Sequence, residues 1–322
     1  MRYDIGLDVG GTNLSAGVVE EKGAVISRAT LPAGAGRSIE EITADMAKVS
    51  RMAVESAGLS MEQMGSWGIG MPSYVNPKTG LLVHANCFGW RNVPIYEHLE
   101  LRLPLPIFIE NDANCAVLGE TVAGAARNYK NVVMLTLGTG VGGGIILDGQ
   151  IYSGADRMGA ELGHTKLVFR GRKCTCGQLG CLDGYCSARG LAETAREMIS
   201  EGSLLWDLCR HDIRKLEASM VTEAVAHGDW AAIQAWDLYL DQLAAAIGNF
   251  IAVFRPDVVI LGGGVAKAGN MLLGPLKEKV KASTFAAAEI GIPKIRLAVA
   301  GNDAGIIGAA RLSRYGFDRR KR

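Results

Sequence analysis

Two short glycine-rich stretches carry the first chemical signal. Asp8-Val9-Gly10-Gly11-Thr12-Asn13 sets a carboxylate just before a glycine turn, and Gly138-Thr139-Gly140 repeats the turn and its hydroxyl without the acid. Glycine lets backbone N–H groups approach phosphate oxygens, because no Cβ intervenes and positive φ is open to it. Thr12 adds a hydroxyl donor, and Asp8 offers the hard oxygen that Mg²⁺ prefers, directly or through water. Either stretch alone reads equally well as a glycine-rich hairpin turn. Their repetition, each after a strand pattern, favours a pair of phosphate-binding loops. Neither is a Walker A loop, since no Gly-Lys-Ser/Thr follows. Neither is a dinucleotide fingerprint, since the segment after each turn has a strand rather than a helix pattern. Gly262-Gly263-Gly264 stands between a strand and a helical stretch; Gly263 and Gly264 could border an adenosine or simply turn the chain into the helix.

His164, Cys174, Cys176 and Cys181 supply one imidazole and three thiols, and Thr175, Gly177, Gln178 and Gly180 make the loop between the cysteines turn-rich. A Cys₃His set suits a tetrahedral structural Zn²⁺ and leaves no coordination position open. Free core cysteines beside an unrelated histidine are the plainer reading; the crowding, in a chain with an odd total of 7 cysteines, favours metal. Cys87, Cys115, Cys186 and Cys209 read as ordinary buried thiols. Glu110-Asn111-Asp112-Ala113-Asn114 falls where a buried strand pattern ends and a helix pattern begins. Open α/β sheets bind ligands at such strand ends. Asn111 and Asp112 offer donors and acceptors to hydroxyls, and Asp112 could accept the proton of an attacking hydroxyl. Helix N-capping would call on the same residue types. Glu161-Leu162-Gly163-His164 adds a polar pair beside the cysteines. With one ring nitrogen of His164 on a metal, the other is fixed in direction and can donate to a ligand oxygen.

These residues need a frame. Tyr3–Val9 is an apolar run, and Asn13–Glu20 and Ala24–Thr30 are strand patterns joined through Lys22-Gly23. Ser38–Ala57 has helical spacing, with Ile39, Ile42, Met46, Val49 and Val54 mostly on one face. Trp67–Met71 and Ile107–Glu110 predict buried strands, and Asp112 opens a helix to about Gly124 with its acid at the favourable end. The opening pattern then returns as strand Val132–Leu137, glycine run Gly138–Gly144, strand Ile145–Leu147, turn Asp148-Gly149 and strand Ile151–Ser153. We read this as a duplicated unit, one in each of two lobes. Ser187–Ile199 and Trp230–Phe254 predict helices, Asp257–Leu261 a strand and Asn302–Arg314 a terminal helix, followed by a solvated basic tail, Arg319-Arg320-Lys321-Arg322.

At 322 residues the chain exceeds one ordinary core. With 48% hydrophobic and 21% charged residues its composition is globular, and a net charge of +1 gives no reason to expect nucleic acid or an anionic membrane as partner. No stretch reads as long and apolar enough to span a bilayer. The N-terminus enters a strand pattern with no signal-peptide core. With crowded cysteines fitting a reducing compartment, a cytoplasmic location is expected.

Taken together, Asp8–Asn13, Glu110–Asn114, Leu137–Gly144, Glu161–His164 and Cys174–Cys181 resemble the ROK family of repressors, open reading frames and kinases, across essentially the whole chain. Gly301-Asn302-Asp303-Ala304-Gly305 is similar to the C-terminal motif of its glucokinase-like branch. The resemblance implies an actin-like, ribonuclease-H-like α/β fold of two lobes with duplicated sheets. The N-terminal lobe would be residues 1–115 completed by a helix in 302–322; residues 116–301 would form the C-terminal lobe with the zinc loop. It implies an ATP-dependent hexose kinase that uses ATP with Mg²⁺ and carries structural Zn²⁺. Asp112 matches the catalytic base, and Asn111, Glu161 and His164 match sugar ligands. His164, Cys174, Cys176 and Cys181 match zinc ligands, and Asn86 lies in a segment similar to the sugar-side loop.

Two positions depart from the family pattern. Asp183 stands where its sugar kinases usually carry a sugar-contacting Glu, and Ser73 where its glucokinases usually carry Gly after Gly70-Met71-Pro72. Both bear on which hexose is chosen. Glucose, giving glucose 6-phosphate, ranks first; N-acetylmannosamine, mannose, allose and fructose are the alternatives. A sugar-responsive regulator is the main rival. It would need a DNA-binding segment ahead of the strand that begins at Tyr3, and a near-neutral charge does not favour DNA. A non-catalytic sugar-binding protein is the second rival, set against Asp8, Thr12 and Asp112 together. The resemblance also implies a homodimer or tetramer.

Overall fold

The computed structural model describes residues 2–34, 36–85 and 87–315; Asn86 and the Arg319–Arg322 tail lie outside the described residues. The strands are β1 (Tyr3–Val9), β2 (Asn13–Glu20), β3 (Val25–Pro32), β4 (Met64–Met71), β5 (Leu82–Ala85), β6 (Trp90–Val93), β7 (Ile107–Asn111), β8 (Val132–Leu137), β9 (Val141–Leu147), β10 (Gln150–Ile151), β11 (Val258–Gly262) and β12 (Lys294–Leu297). The α-helices are α1 (Ile39–Ser56), α2 (Ile95–Glu100), α3 (Asp112–Ala123), α4 (Asp183–Cys186), α5 (Ala188–Met198), α6 (Leu204–Leu208), α7 (Ala218–Ala226), α8 (Trp230–Phe254), α9 (Asn270–Ser283), α10 (Ala287–Ile290) and α11 (Asp303–Arg311). The chain divides into two compact units. One comprises Met1–Val132, Gly144–Ala160 and Val299–Arg322; the other comprises Val133–Gly143 and Glu161–Ala298.

Two five-stranded sheets share one plan, β3-β2-β1-β4-β7 and β10-β9-β8-β11-β12. This is the duplicated unit that the two glycine turns predict. In the first sheet β1 and β2, and β2 and β3, are antiparallel, while β1, β4 and β7 run parallel. Parallel neighbours need a crossover, and α1 provides it between β3 and β4. Ser38 starts α1 with a capping box: its hydroxyl accepts the Glu41 N–H, and the Glu41 carboxylate accepts the Ser38 N–H. Ile42, Met46, Val49 and Ala53 then face Ile5, Leu7, Leu14 and Ile69 in one core.

Register decides where the chemistry sits. Asp8 pairs with Gly70 on β4, and Gly70 with Glu110 on β7, so the acids line up near the C-terminal ends of parallel strands. One expected boundary moves substantially. β9 begins at Val141 rather than Ile145, so Gly142, Gly143 and Gly144 are strand residues, not loop. Packing explains this: a Cβ on Gly144 would lie 2.6 Å from the Val117 side chain and 2.8 Å from the Ala113 carbonyl of α3. Glycine here lets the helix approach the strand.

One expectation is overturned. α8 is long and apolar enough, by length and composition, to cross a membrane. Half of its most apolar window is buried, and α8 packs against α5, α7 and α9. Apolar residues on several faces are what a helix with neighbours on several sides requires.

The terminal helix α11 lies against β1, β4 and α3. Arg311 makes a buried ion pair with Asp4 at 2.9 Å, and Arg28 Nε donates to Asp303 at 2.7 Å. On the sheet side Gly68 presents bare backbone, and a Cβ there would overlap the Ala309 carbonyl.

Candidate active site

In the first unit, β1 ends beside Asp8 and the chain turns through Gly10–Asn13, closed by the Gly10 N–H donating to the Asn13 carbonyl at 2.9 Å. Gly11, Thr12 and Asn13 are exposed. Asn111 caps α3: its Oδ1 accepts from the N–H groups of Ala113 at 2.9 Å and Asn114 at 3.3 Å. The capping role weighed for this segment is therefore filled by Asn111. Asp112 is the first residue of the helix, and one of its oxygens accepts the Ala113 N–H at 2.8 Å.

Behind them Glu110 is buried, with Oε1 accepting from the Asn111 N–H at 2.9 Å and Asn114 Nδ2 at 3.0 Å. Glu110 thereby fixes the strand end that presents Asn111 and Asp112, a function its position gave no sign of. Burial, despite bonds to the Ala113 and Asp112 N–H groups, holds the Asp112 carboxyl above the usual carboxylate range. Burial, and then the charge of Asp112, push Asp8 up to about 6. A carboxylate made more basic by its surroundings is suited to proton abstraction near neutral pH. Ser73 is buried and donates its hydroxyl to the His84 carbonyl at 2.6 Å, tying the exit of β4 to β5.

In the second unit, the Gly138 N–H donates to the Gly140 carbonyl at 3.0 Å, and the Ala188 N–H donates to the Gly138 carbonyl at 2.8 Å. Thr139 lines a cavity of about 880 Å³, with Arg189, Arg196, Gly264 and Lys267 also on its walls. That volume accommodates a drug-sized ligand. Gly263 holds φ +86° against the end of β8, and Gly264 lies on the wall of the cavity. Arg189 and Lys267 carry no motif in the sequence; only the cavity reveals them.

Glu161 precedes a 3₁₀ turn that ends at His164; both residues are exposed, with His164 Nε2 4.0 Å from the Glu161 carboxylate. The donor atoms of His164, Cys174, Cys176 and Cys181 all lie within 4.8 Å of one another. Cys176 Sγ and Cys181 Sγ are 3.7 Å apart, as are Cys174 Sγ and His164 Nδ1. Tetrahedral Zn²⁺ with Zn–S near 2.3 Å needs edges of about 3.8 Å, so this donor set fits the metal. Lys166 Nζ donates to Cys181 Sγ at 3.4 Å, a contact from outside the cluster. With Nδ1 facing the thiols, Nε2 of His164 points to Glu161. Asp183 is 4% exposed, and both of its oxygens are engaged within the protein.

A model described as the ROK family matches residues 4–315. The chain belongs to the ROK family. Among its ROK relatives, the glucokinase of Halalkalibacterium halodurans is 35% identical over 95% of this chain and 93% of its own length, and that of Thermotoga maritima is 35% identical over 95% of each. The crystal structure of a ROK glucokinase from Streptomyces griseus, in complex with glucose and AMPPNP, superposes with a TM-score of 0.82 at 31% identity, covering 98% of this chain and 100% of that one. The actin-like α/β class expected from the motifs is the class of these ROK structures.

Proposed function

We propose that glucose is the sugar this ATP-dependent ROK kinase phosphorylates, yielding glucose 6-phosphate. The observation that carries phosphoryl transfer to a hydroxyl is Asp112: a partly buried carboxylate, held above its ordinary basicity, at the start of a helix that opens from the end of a parallel strand. Asp112 takes the proton of the attacking sugar hydroxyl. Asn111, Glu161 and His164 hold other hydroxyls through their amide, carboxylate and imidazole groups. The N–H groups and hydroxyls of Gly10–Asn13 and Gly138–Gly140 bind phosphate oxygens, and the cavity lined by Thr139 and Gly264 takes the adenosine. Asp8 would hold Mg²⁺, which would supply positive charge to offset that of the phosphates. His164, Cys174, Cys176 and Cys181 hold Zn²⁺ with no open position, so its contribution is structural.

Support for glucose comes from the names of the relatives and from the glucose bound in the superposed structure. The reaction belongs in the cytoplasm, where ATP and reduced thiols coexist. A coupled assay of ADP formation with glucose, mannose, allose, fructose and N-acetylmannosamine tests the choice. Glucose should give the highest kcat/KM; a higher value for another hexose would reassign the substrate. Sugar binding by calorimetry with no ADP formed from any of them would instead favour a sugar-responsive regulator or a non-catalytic binder.

A further inference from the structure

Asp183 lies two residues beyond Cys181 and opens α4. Its Oδ1 accepts the Val141 N–H at 2.7 Å, and its Oδ2 accepts from Arg189 Nη2 at 2.6 Å. The Ser187 hydroxyl donates to the Asp183 carbonyl at 2.6 Å, and the next residue, Ala188, donates its N–H to Gly138. One short segment thus grips the Gly138–Val141 turn at both ends. Gly140 completes the fit: an ideal Cβ there would lie 2.7 Å from Asp183 Oδ1. Gly140 is not among the positive-φ residues, so alanine suits its backbone and only the carboxylate contact is at stake.

We infer that Asp183 is a positioning residue for the nucleotide loop, fixing the Val141 N–H and holding Arg189 at the cavity wall, rather than a direct ligand of a sugar hydroxyl. This rests on the reading of Gly138–Gly140 as a phosphate loop. Bonds to an ionised acceptor are about twice as strong as neutral ones, so a buried carboxylate is an effective anchor for one backbone N–H. A bare carboxylate beside a phosphate site would repel the ligand. Arg189 offsets that charge and, with its side chain 41% exposed, keeps N–H donors free for the cavity.

The test measures ADP and glucose affinity separately by calorimetry, together with KM for ATP and for glucose. Asp183→Ala should weaken ADP binding about tenfold and change glucose binding by less than about twofold. Gly140→Ala should show the same split. The double variant should lose little more than either single one, because both break one contact. Thr139→Ala separates the two readings. If it and Asp183→Ala both leave ADP affinity intact, the phosphate-loop reading fails and the inference falls with it. If Thr139→Ala weakens ADP but Asp183→Ala does not, the loop reading stands and the positioning role is overturned. Loss of glucose affinity alone in Asp183→Ala also overturns it. Should Asp183→Ala fail to fold, unchanged ADP affinity in Gly140→Ala overturns the positioning role in its place.

Discussion

Asp112 must be ionised to take a proton, and its surroundings work against ionisation. Burial raises its pKa, and Asp8, in the same neighbourhood, is pushed up to about 6. A carboxyl with a raised pKa keeps its proton to higher pH, and a protonated base is idle. The kcat/KM profile for the best sugar should therefore lose activity on the acid side at a pH above the range of an ordinary carboxylate, about 4. An acid limb that stays near 4 would show that neither group controls the rate. Stability has the opposite sign. Folded Asp8 binds its proton more tightly than the unfolded carboxyl, whose reference value is 3.8, so its contribution declines as pH rises from there to about 6. Asp112→Asn keeps an oxygen to accept the Ala113 N–H and so should fold, while kcat drops by ~10²–10⁴. Near-wild-type kcat in that variant would move the base elsewhere.

At the scale of the element, the cysteine loop is short, and its own hydrogen bonds shape it. The Cys174 N–H donates to the Gln178 carbonyl at 2.8 Å, and the Gly177 N–H to the Cys174 carbonyl at 3.0 Å. These bonds converge the thiols but cannot offset the repulsion among thiolates, which a divalent cation removes. Protein purified without chelator should carry about one zinc per chain by elemental analysis. Cys181→Ser should lose most of it and melt at a lower temperature. Because Asp183 follows Cys181 so closely, the loss should reach the Gly138–Val141 turn as well as His164. Protein containing well under half a zinc per chain would count against a structural metal.

At the scale of the whole chain, the first unit is completed by its last helix. Asp4 and Arg311 are 307 residues apart in sequence and share a buried ion pair. The contact requires α11 to lie directly on β1 and β4, which the bare backbone of Gly68 allows. Gly68→Ala should destabilise the protein by about 3 kcal/mol or more, since its Cβ meets a backbone carbonyl that cannot rotate away. Gly248→Ala, inside α8 where an added Cβ would meet only ordinary contacts at 3.6 Å, should instead stabilise by up to about 1 kcal/mol. Denaturant unfolding of the two variants checks the contrast; equal effects would mean that α11 does not need this close approach.

The legible features were local ones. Alternation and the glycine stops marked β1, β2 and β8, the Ser38 box marked α1, and the polar step at Glu110–Asn114 marked the strand end where α3 begins. Donor type and spacing marked the residues His164, Cys174, Cys176 and Cys181, which the fold gathers into one cluster. Other features depended on partners remote in sequence. Gly144 reads as loop in the sequence, and the close approach of α3 that requires a bare strand there emerges only in the fold. Asp183 falls on the sugar side by resemblance alone, and the hydrogen bond it accepts from the Val141 N–H, 42 residues away, emerges only in the fold. Arg189 and Lys267 have no signature until the cavity forms around them. Periodicity, caps and ligand chemistry act within a few residues and can be read in the sequence alone. Which face a glycine leaves open, and which donor a buried carboxylate meets, is settled only when distant segments pack.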